Sequence, residues 1–404
     1  MMMAEADRIA MLSIHSSPLG RLGTADTGGM SVYLLELATE LGRRGHHVDI
    51  FSRVTEPGIE QLIEYAANVR IISLAIDGTR NLHRSALLEH LHSYRQAIET
   101  FCQLRGLSYQ VIHSNYWLSG IVGDQLKEVW QCPHVISFHT LGNAKIAARK
   151  NHQEDQRRIS EEARLLRCCD GVIVPTTQER EHLLAVNGDR TSCIYHVPMG
   201  VDLEHFKPNS YCADTRSAGR RENPVVLFVG RFDPMKGAER AVKALNLLLE
   251  KPEIHLAIVG GDGEKSAVNQ KLERLVNELQ MSGRVHFHGA IDYLQMPLYY
   301  QSADAVVVSS YYESFGLVIL EALATGTPVA ATPVGIAPDV IKPGINGYLA
   351  SDANERSLAD AIASTLELAR NGEKVKIRQS VCDYSWSRVA GSMLDVYSDV
   401  LLHS

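Results

Sequence analysis

One pattern constrains this chain more than any other. Short apolar runs alternate with longer amphipathic segments, and the pattern is written out twice. Arg8 to His15 (RIAMLSIH) reads as a buried strand and Gly28 to Arg44 as the helix that follows it. His47 to Arg53, Val69 to Leu74, Gln110 to His113, His134 to His139 and Gly171 to Pro175 are further strand candidates, with helical patterns between most of them. Such alternation predicts parallel sheets covered by helices on both faces. Around Val201 to Asn223 the pattern lapses into Pro208, Asn209, Ser210, Ser217 and Gly219 with clustered arginines, the grammar of a linker. It restarts with Pro224 to Gly230 as strand, Ala238 to Leu249 as helix and His255 to Gly260 as strand, then Val285 to His288, Ala305 to Ser309 and Pro328 to Ala331. The expected fold class is therefore α/β, with two Rossmann-like halves. We place the first at 1–205, the second at 206–384, and a last helix at about 385–404 that returns to the first. Ligands of such sheets sit at the carboxyl ends of the strands, so two facing halves would enclose a cleft suited to a reaction between two bound substrates.

The length of 404 residues suits two domains of about 200 residues each. A formal net charge of −7, with no basic stripe, argues against a nucleic-acid partner. The first ten residues carry Glu5 and Asp7 and lack a basic region ahead of an apolar one, so they do not read as a signal peptide. No apolar run has the length of a membrane span. Seven cysteines, none in a C-x-x-C pair, read as reduced thiols, and the expected location is cytoplasmic. Cys168 and Cys169 are adjacent, point different ways in any regular element, and make a poor metal pair.

Three motifs carry chemistry. The first is Glu313-Ser-Phe315-Gly316-Leu317-Val-Ile-Leu-Glu321. Gly316 lets backbone approach a ligand, and a helix starting there offers unpaired N–H groups and a positive dipole end to a diphosphate. Glu321, more than a turn inside, would meet ribose hydroxyls; Glu313, ahead of the helix, would meet a sugar. The competing reading is an amphipathic helix with solvated carboxylates. Against it, Glu321 is flanked by apolar residues, where an unpaired carboxylate is expensive.

The second motif is Gly230-Arg231-Phe-Asp-Pro-Met-Lys236-Gly237, at the end of the first strand of the second half. Arg231 and Lys236 would meet one diphosphate and stabilise it as a leaving group without a metal; two surface cations are the alternative. The third is Gly28-Gly29 after the first strand, a turn that permits close approach to a sugar or its phosphate, or is simply structural. His139 ends an apolar strand and is either structural or catalytic. The Gly260 to Ser266 stretch fails the phosphate-loop pattern because Glu264 intrudes. The histidines form no metal set.

Read together, these residues resemble the retaining GT-B glycosyltransferases, in the family that includes sucrose-phosphate synthases and the inositol-phosphate glycosyltransferase of mycothiol biosynthesis. The likeness runs from Ile14 to about Leu401 and also rests on Asn115-Tyr-Trp-Leu-Ser-Gly120, Phe138-His-Thr140 and Val197-Pro-Met-Gly-Val-Asp202. It implies a nucleotide diphosphate sugar as donor substrate, a UDP-sugar first among them, with no metal or other cofactor required. It implies diphosphate binding by Arg231, Lys236 and the amides of Phe315, Gly316 and Leu317, ribose binding by Glu321, and sugar contacts from Glu313, His139, Gly28 and Gly29. Arg284 is a side-chain candidate for the base. A phosphorylated sugar or polyol acceptor would be held by Tyr116, Thr140, Lys145 and Arg157 or Arg158, with Arg80 nearest the lysine expected around residue 79. Where the inositol enzymes carry Asn after Gly-Gly-Met, this chain has Ser31, which favours a hexose phosphate over inositol phosphate. Other readings are a cell-envelope glycosyltransferase, which would want a basic or apolar membrane-facing patch, and an inactive sugar-nucleotide sensor, which would not need the full transfer set.

Overall fold

The computed structural model describes residues 7–20, 28–54, 61–80, 82–149, 152–187, 194–208, 223–248, 250–261, 267–371 and 373–403. Two compact units divide these residues. The first gathers those up to Pro198 together with Trp386–Ser404, and the second runs over Met199–Ser385. The division falls ahead of the expected position 205, inside the Val197 to Asp202 motif. Most of the expected linker, residues 209–222, lies outside the described residues, as do 262–266 of the Gly260 loop.

In the first unit the strands are β1 (Arg8–Ser13), β2 (His47–Arg53), β3 (Leu62–Ala66), β4 (Val69–Leu74), β5 (Val111–Asn115), β6 (His134–Ser137), β7 (Gly171–Val174) and β8 (Ile194–His196). The α-helices are α1 (Gly29–Arg43), α2 (Leu91–Arg105), α3 (Trp117–Trp130), α4 (Gly142–Ala148), α5 (Gln156–Cys168) and α6 (Thr177–Asn187). The sheet order is β3-β4-β2-β1-β5-β6-β7-β8, and every pairing is parallel except β3 with β4. β3 escaped sequence reading because it is a half-exposed edge strand without a clean apolar run.

The second unit holds β9 (Val225–Val229), β10 (His255–Val259), β11 (Val285–Gly289), β12 (Ala305–Val308), β13 (Val329–Ala331) and β14 (Gly347–Leu349). Its helices are α7 (Ala238–Asn246), α8 (Ala267–Glu278), α9 (Met296–Ser302), α10 (Leu317–Ala324), α11 (Ala337–Val340), α12 (Glu355–Asn371) and α13 (Lys374–Gln379). Its all-parallel sheet runs β11-β10-β9-β12-β13-β14. The last helix, α14 (Trp386–His403), packs on α1 of the first unit. Among the described residues no helix is long and apolar enough to cross a membrane.

The strands are nearly continuous in Val, Ile, Leu and Ala because both sheet faces are covered, as parallel sheets require; β1, for example, buries Ile9, Ala10, Met11 and Leu12 completely. Polar exceptions are paired. Asp49, buried in β2, accepts from Arg70 at 2.7 and 2.7 Å, from Arg8 at 3.1 Å and from Tyr109 Oη at 2.7 Å. Burial alone would raise its carboxyl. The hydrogen bonds from Arg70 and Tyr109 and the charges of Arg70 and Arg8 outweigh that and hold it below the usual carboxylate range. In the second unit Arg378 donates to the carbonyls of Leu203, Phe206 and Ala324 at 2.6, 2.6 and 2.8 Å, tying the entering chain to α10 and α13.

Candidate active site

In the second unit the chemistry gathers at the carboxyl ends of β9 and β12. Arg231 follows Gly230 directly after β9. Asp233 Oδ1 accepts the Met235 N–H at 2.8 Å and turns the chain so that Lys236 comes back toward β12. Gly237 then takes φ 70°, and a Cβ there would lie 2.1 Å from the Ser309 carbonyl oxygen, so only glycine fits. The result is a tight pair between residues far apart in sequence. Lys236 Nζ donates to both oxygens of Glu313 at 2.7 Å, and Ser310 Oγ donates to Oε1 at 2.7 Å. Arg240, buried one turn further along α7, braces the same loop. It donates to the carbonyls of Ser309 and Ser310 at 3.1 and 3.2 Å and stacks over the Tyr311 ring at 3.6 Å.

Gly316, at φ 100°, caps α10. The first-turn N–H groups of that helix have no carbonyl to reach inside it and present the positive dipole end. Phe315 is buried, so its share in a ligand site is its amide rather than its ring. Behind it, Ile336 N–H donates to the Phe315 carbonyl at 2.7 Å, and the left-handed Gly335 allows the two backbones to meet.

Glu321 is buried, and its oxygens accept from Tyr300 Oη at 2.6 Å and Tyr293 Oη at 3.2 Å. Burial raises its pKa, while the tyrosines and His205 pull the other way. Phe206, fully buried, packs against both tyrosine rings. Sequence reading missed Tyr293, Tyr300 and Arg240, none of which lies in a recognisable motif. It also misplaced Arg284. That side chain donates to the carbonyls of Ile254 and Lys251 at 3.0 and 3.3 Å, at the amino ends of β10 and β11 and away from the other candidates.

In the first unit β6 ends at Ser137, and His139 adopts φ 58°, unusual for a residue with a side chain. Asn115 Nδ2 donates to the His113 carbonyl at 3.3 Å, so its Oδ1 faces His139 and accepts from Nε2 at 2.8 Å. His139 therefore carries its proton on Nε2 and leaves Nδ1 as an acceptor. Burial lowers its pKa to about 3 and keeps it neutral. Tyr33 packs its ring edge-on against it at 5.0 Å. A buried chain of bonds continues behind: His113 links Tyr397 Oη on α14 at 2.7 Å to Ser137 Oγ at 2.9 Å.

Tyr116, Thr140, Lys145 and Arg158 come together beside His139. Arg158 is buried. It donates from Nη2 to the Thr140 carbonyl and hydroxyl at 2.7 and 3.0 Å, from Nη1 to Glu154 at 2.9 Å and from Nε to Glu162 at 2.6 Å. Its guanidinium lies 5.1 Å over the Tyr116 ring, and Lys145 Nζ is 3.6 Å from Glu154. Glu162 also accepts the Gly142 N–H at 2.8 Å, joining the start of α4 to α5. Neither glutamate stood out in the sequence.

Arg157 points elsewhere. It pairs with Asp155 at the exposed start of α5 and lines a separate surface hollow with Leu88, His92 and Gln125. Arg80 is exposed after β4, and a different arginine takes the inward place. His15, its ring tilted against that of Tyr116 at 4.2 Å, is kept neutral by burial first and then by the charge of Arg84, with Arg53 and Arg158 further contributors. Gly28 has open space where a Cβ would stand, so no protein atom demands a glycine there, and Gly29 opens α1 on an exposed turn. Among the described residues His15 Nδ1, Trp117 Nε1 and Ser31 Oγ are buried without a hydrogen-bond partner. Three such atoms near the carboxyl ends of β1 and β5 suit a polar ligand.

Glu179, at the start of α6, is a further buried carboxyl. Burial, with the Glu162 charge second, raises it to about 8, and Oε1 has no partner. Folding thus requires it to take up a proton at pH values where the unfolded chain, with a carboxyl near about 4.3, would leave it ionised. Its contribution to stability falls as pH rises from that value toward 8 and is level beyond. Glu179→Gln should therefore gain on the parent progressively over that window in urea unfolding. The same difference at pH 5 and pH 8 would contradict a buried protonated acid.

Comparison with known proteins bears on both units. The family model described as Glycosyl transferases group 1 matches residues 214–379, and the one described as Glycosyl transferase 4-like domain matches residues 28–196. The chain is 33% identical over 412 residues to D-inositol 3-phosphate glycosyltransferase of Corynebacterium glutamicum (strain R), covering 98% of this chain and 97% of that protein. It is 38% identical over 368 residues to the protein of the same name from Corynebacterium jeikeium (strain K411), covering 88% and 87%. Among solved structures, sucrose-phosphate synthase from Thermosynechococcus elongatus is 33% identical with a TM-score of 0.86, covering 98% of this chain and 100% of that one.

Proposed function

The chain belongs to the group 1 glycosyltransferases of GT-B fold, and from that premise we propose that it moves a hexosyl group, with retention, from a nucleotide diphosphate sugar to a phosphorylated sugar. The donor reading is supported by the Lys236–Glu313–Ser310 group beside the amino end of α10. Arg231, Lys236 and the α10 amides would hold the diphosphate, and Glu321 the ribose. As the glycosidic bond breaks, negative charge grows on the leaving diphosphate, where a preorganised cation and a helix dipole act most strongly. These groups supply the charge a metal would otherwise provide. Glu313 would fix sugar hydroxyls, and His139, neutral with Nδ1 accepting, would contact the sugar. The leaving oxygen would take the acceptor's proton on the face of attack, which gives retention.

The observation that carries the acceptor reading is the gathering of Arg84, Arg53, Arg158, Lys145 and Thr140 around His15 and Tyr116. Arg158 and Lys145 face glutamates and Arg53 donates to the Thr79 and Leu82 carbonyls, so Arg84 is the one we assign first to an acceptor phosphate, through charge-assisted hydrogen bonds. An inositol phosphate is the second reading, favoured by the names of the Corynebacterium relatives. Against it stands Ser31, a buried hydroxyl rather than an amide.

A product screen by mass spectrometry separates these. UDP-, ADP- and GDP-sugars would be crossed with fructose 6-phosphate, inositol phosphate and both unphosphorylated acceptors. Turnover confined to a phosphorylated acceptor is expected. Equal rates with and without the phosphate would remove the roles given to Arg84, Lys145 and Tyr116.

A further inference from the structure

Cys168 and Cys169 are adjacent, and in a regular helix or strand their side chains would diverge. They stand instead at a boundary: α5 ends at Cys168, while Cys169 leaves the helix in extended conformation at φ −70°, ψ 146°. The turn sets the two thiols side by side, with Cys168 Sγ also 3.8 Å from the Leu165 carbonyl oxygen. Cys168 is half-buried and Cys169 buried. Around them the surroundings are unequal. Arg164 Nη1 donates to Cys168 Sγ at 3.6 Å, and the same nitrogen bonds Asp124. On the other side Cys169 Sγ lies 3.5 Å from His134 Nδ1.

The His134 tautomer follows from its neighbours. Ser114 Oγ donates to the Ser119 carbonyl at 3.0 Å and so accepts from His134 Nε2 at 2.8 Å. Nδ1 is then an acceptor facing the Cys169 thiol. The Cys169 proton thus has two destinations, the Cys168 sulfur and the His134 nitrogen. The hydrogen bond from Cys169 first, aided by the Arg164 charge, lowers Cys168 below the usual thiol range, while the same bond and burial raise Cys169. An accessible sulfur favoured as thiolate, beside a second thiol held in reserve, is the arrangement that reacts with peroxides.

We propose that Cys168 and Cys169 form a reversible oxidation site for hydroperoxides, with Cys168 the attacking sulfur and Cys169 the resolving one. The Cys168 thiolate takes the outer oxygen of hydrogen peroxide as the O–O bond breaks, giving a sulfenic acid and hydroxide, which leaves as water with the proton Cys168 had shed. Cys169 sulfur then attacks the Cys168 sulfur. The S–S bond forms as the S–O bond breaks, and the Cys169 proton, passed through His134 Nδ1, joins the departing hydroxide as a second water. In sum two thiols and one peroxide become one disulfide and two waters. Adjacent Cα atoms are only about 3.8 Å apart, below the roughly 4.4–6.8 Å that relaxed disulfides span. The bond is therefore strained and easily reduced, as a switch requires and a structural staple does not.

Trypsin cuts after Arg167 and Arg180, so both sulfurs fall in one peptide, residues 168–180. The reduced full-length protein would be exposed to hydrogen peroxide, alkylated, digested and read by mass spectrometry. Peptide 168–180 should lose the mass of two hydrogens, resist alkylation, and recover with dithiothreitol. Its conversion should run roughly tenfold ahead of oxidation at Cys382, an exposed thiol of the other unit. Cys169→Ser should instead accumulate a sulfenic acid at Cys168 that dimedone captures, and Cys168→Ser should abolish both products. Oxidation of the pair no faster than that of Cys382, or a cross-link from Cys169 to Cys132 in place of the vicinal bond, would overturn the assignment.

Discussion

Lys236→Ala is expected to lower kcat roughly 10²–10³-fold, the scale of losing one electrostatic contact to a developing charge. Lys236 is the side chain through which the β9 and β12 loops meet, donating to both Glu313 oxygens at 2.7 Å. Its removal takes a cation from the leaving-group side and leaves Glu313 held by Ser310 alone among the bonds described. Since that charge matters most as the bond breaks, the loss should appear in kcat more than in donor KM. Arg231→Ala should fall in the same range. Steady-state rates at saturating donor within a few-fold of the parent would remove both residues from the leaving-group role.

Arg158→Ala is expected to destabilise the protein by about 3–5 kcal/mol, the cost of breaking a buried ion pair from one side. Glu162 would be left buried without its cation, the half-buried Glu154 would keep only Lys145 and His152, and the Thr140 carbonyl would lose its donor. Adding Glu162→Gln in the Arg158→Ala background should recover part of that loss, because it removes one of the stranded charges. Urea unfolding of the three variants measures this directly. A side chain that served only to hold acceptor would raise acceptor KM and leave the unfolding midpoint unchanged. That outcome would put Arg158 back among the ligand contacts and take the structural burden off it.

The difference between Arg157 and Arg158, and between Arg80 and Arg84, shows where sequence reading ran out. Neighbouring arginines carry the same chemistry, and which one turns inward depends on helix phase and on partners elsewhere in the chain. Arg158 is drawn in by Glu162, one turn further along α5, and by Glu154 just ahead of the helix, while Arg157 is held outside by Asp155. Arg84 faces His15 only because the short helical turn Arg84–His90 packs near the end of β1. Arg284 erred for a related reason: a cation next to a strand reads alike at either end of it.

The sequence by itself determined the two-part α/β architecture, the parallel sheets, and the turns bearing Gly237, Gly316 and His139. These depend mainly on apolar periodicity and on backbone geometry within a few residues, which local sequence encodes, the half-exposed edge strand β3 excepted. Only the tertiary structure decided the Lys236–Glu313 pair, the tyrosines on Glu321, the glutamates around Arg158 and the contact between Cys168 and Cys169. Each is a side-chain meeting governed by strand order, helix phase or the exact end of a helix. A displacement of one residue reverses such contacts while leaving the apolar pattern intact.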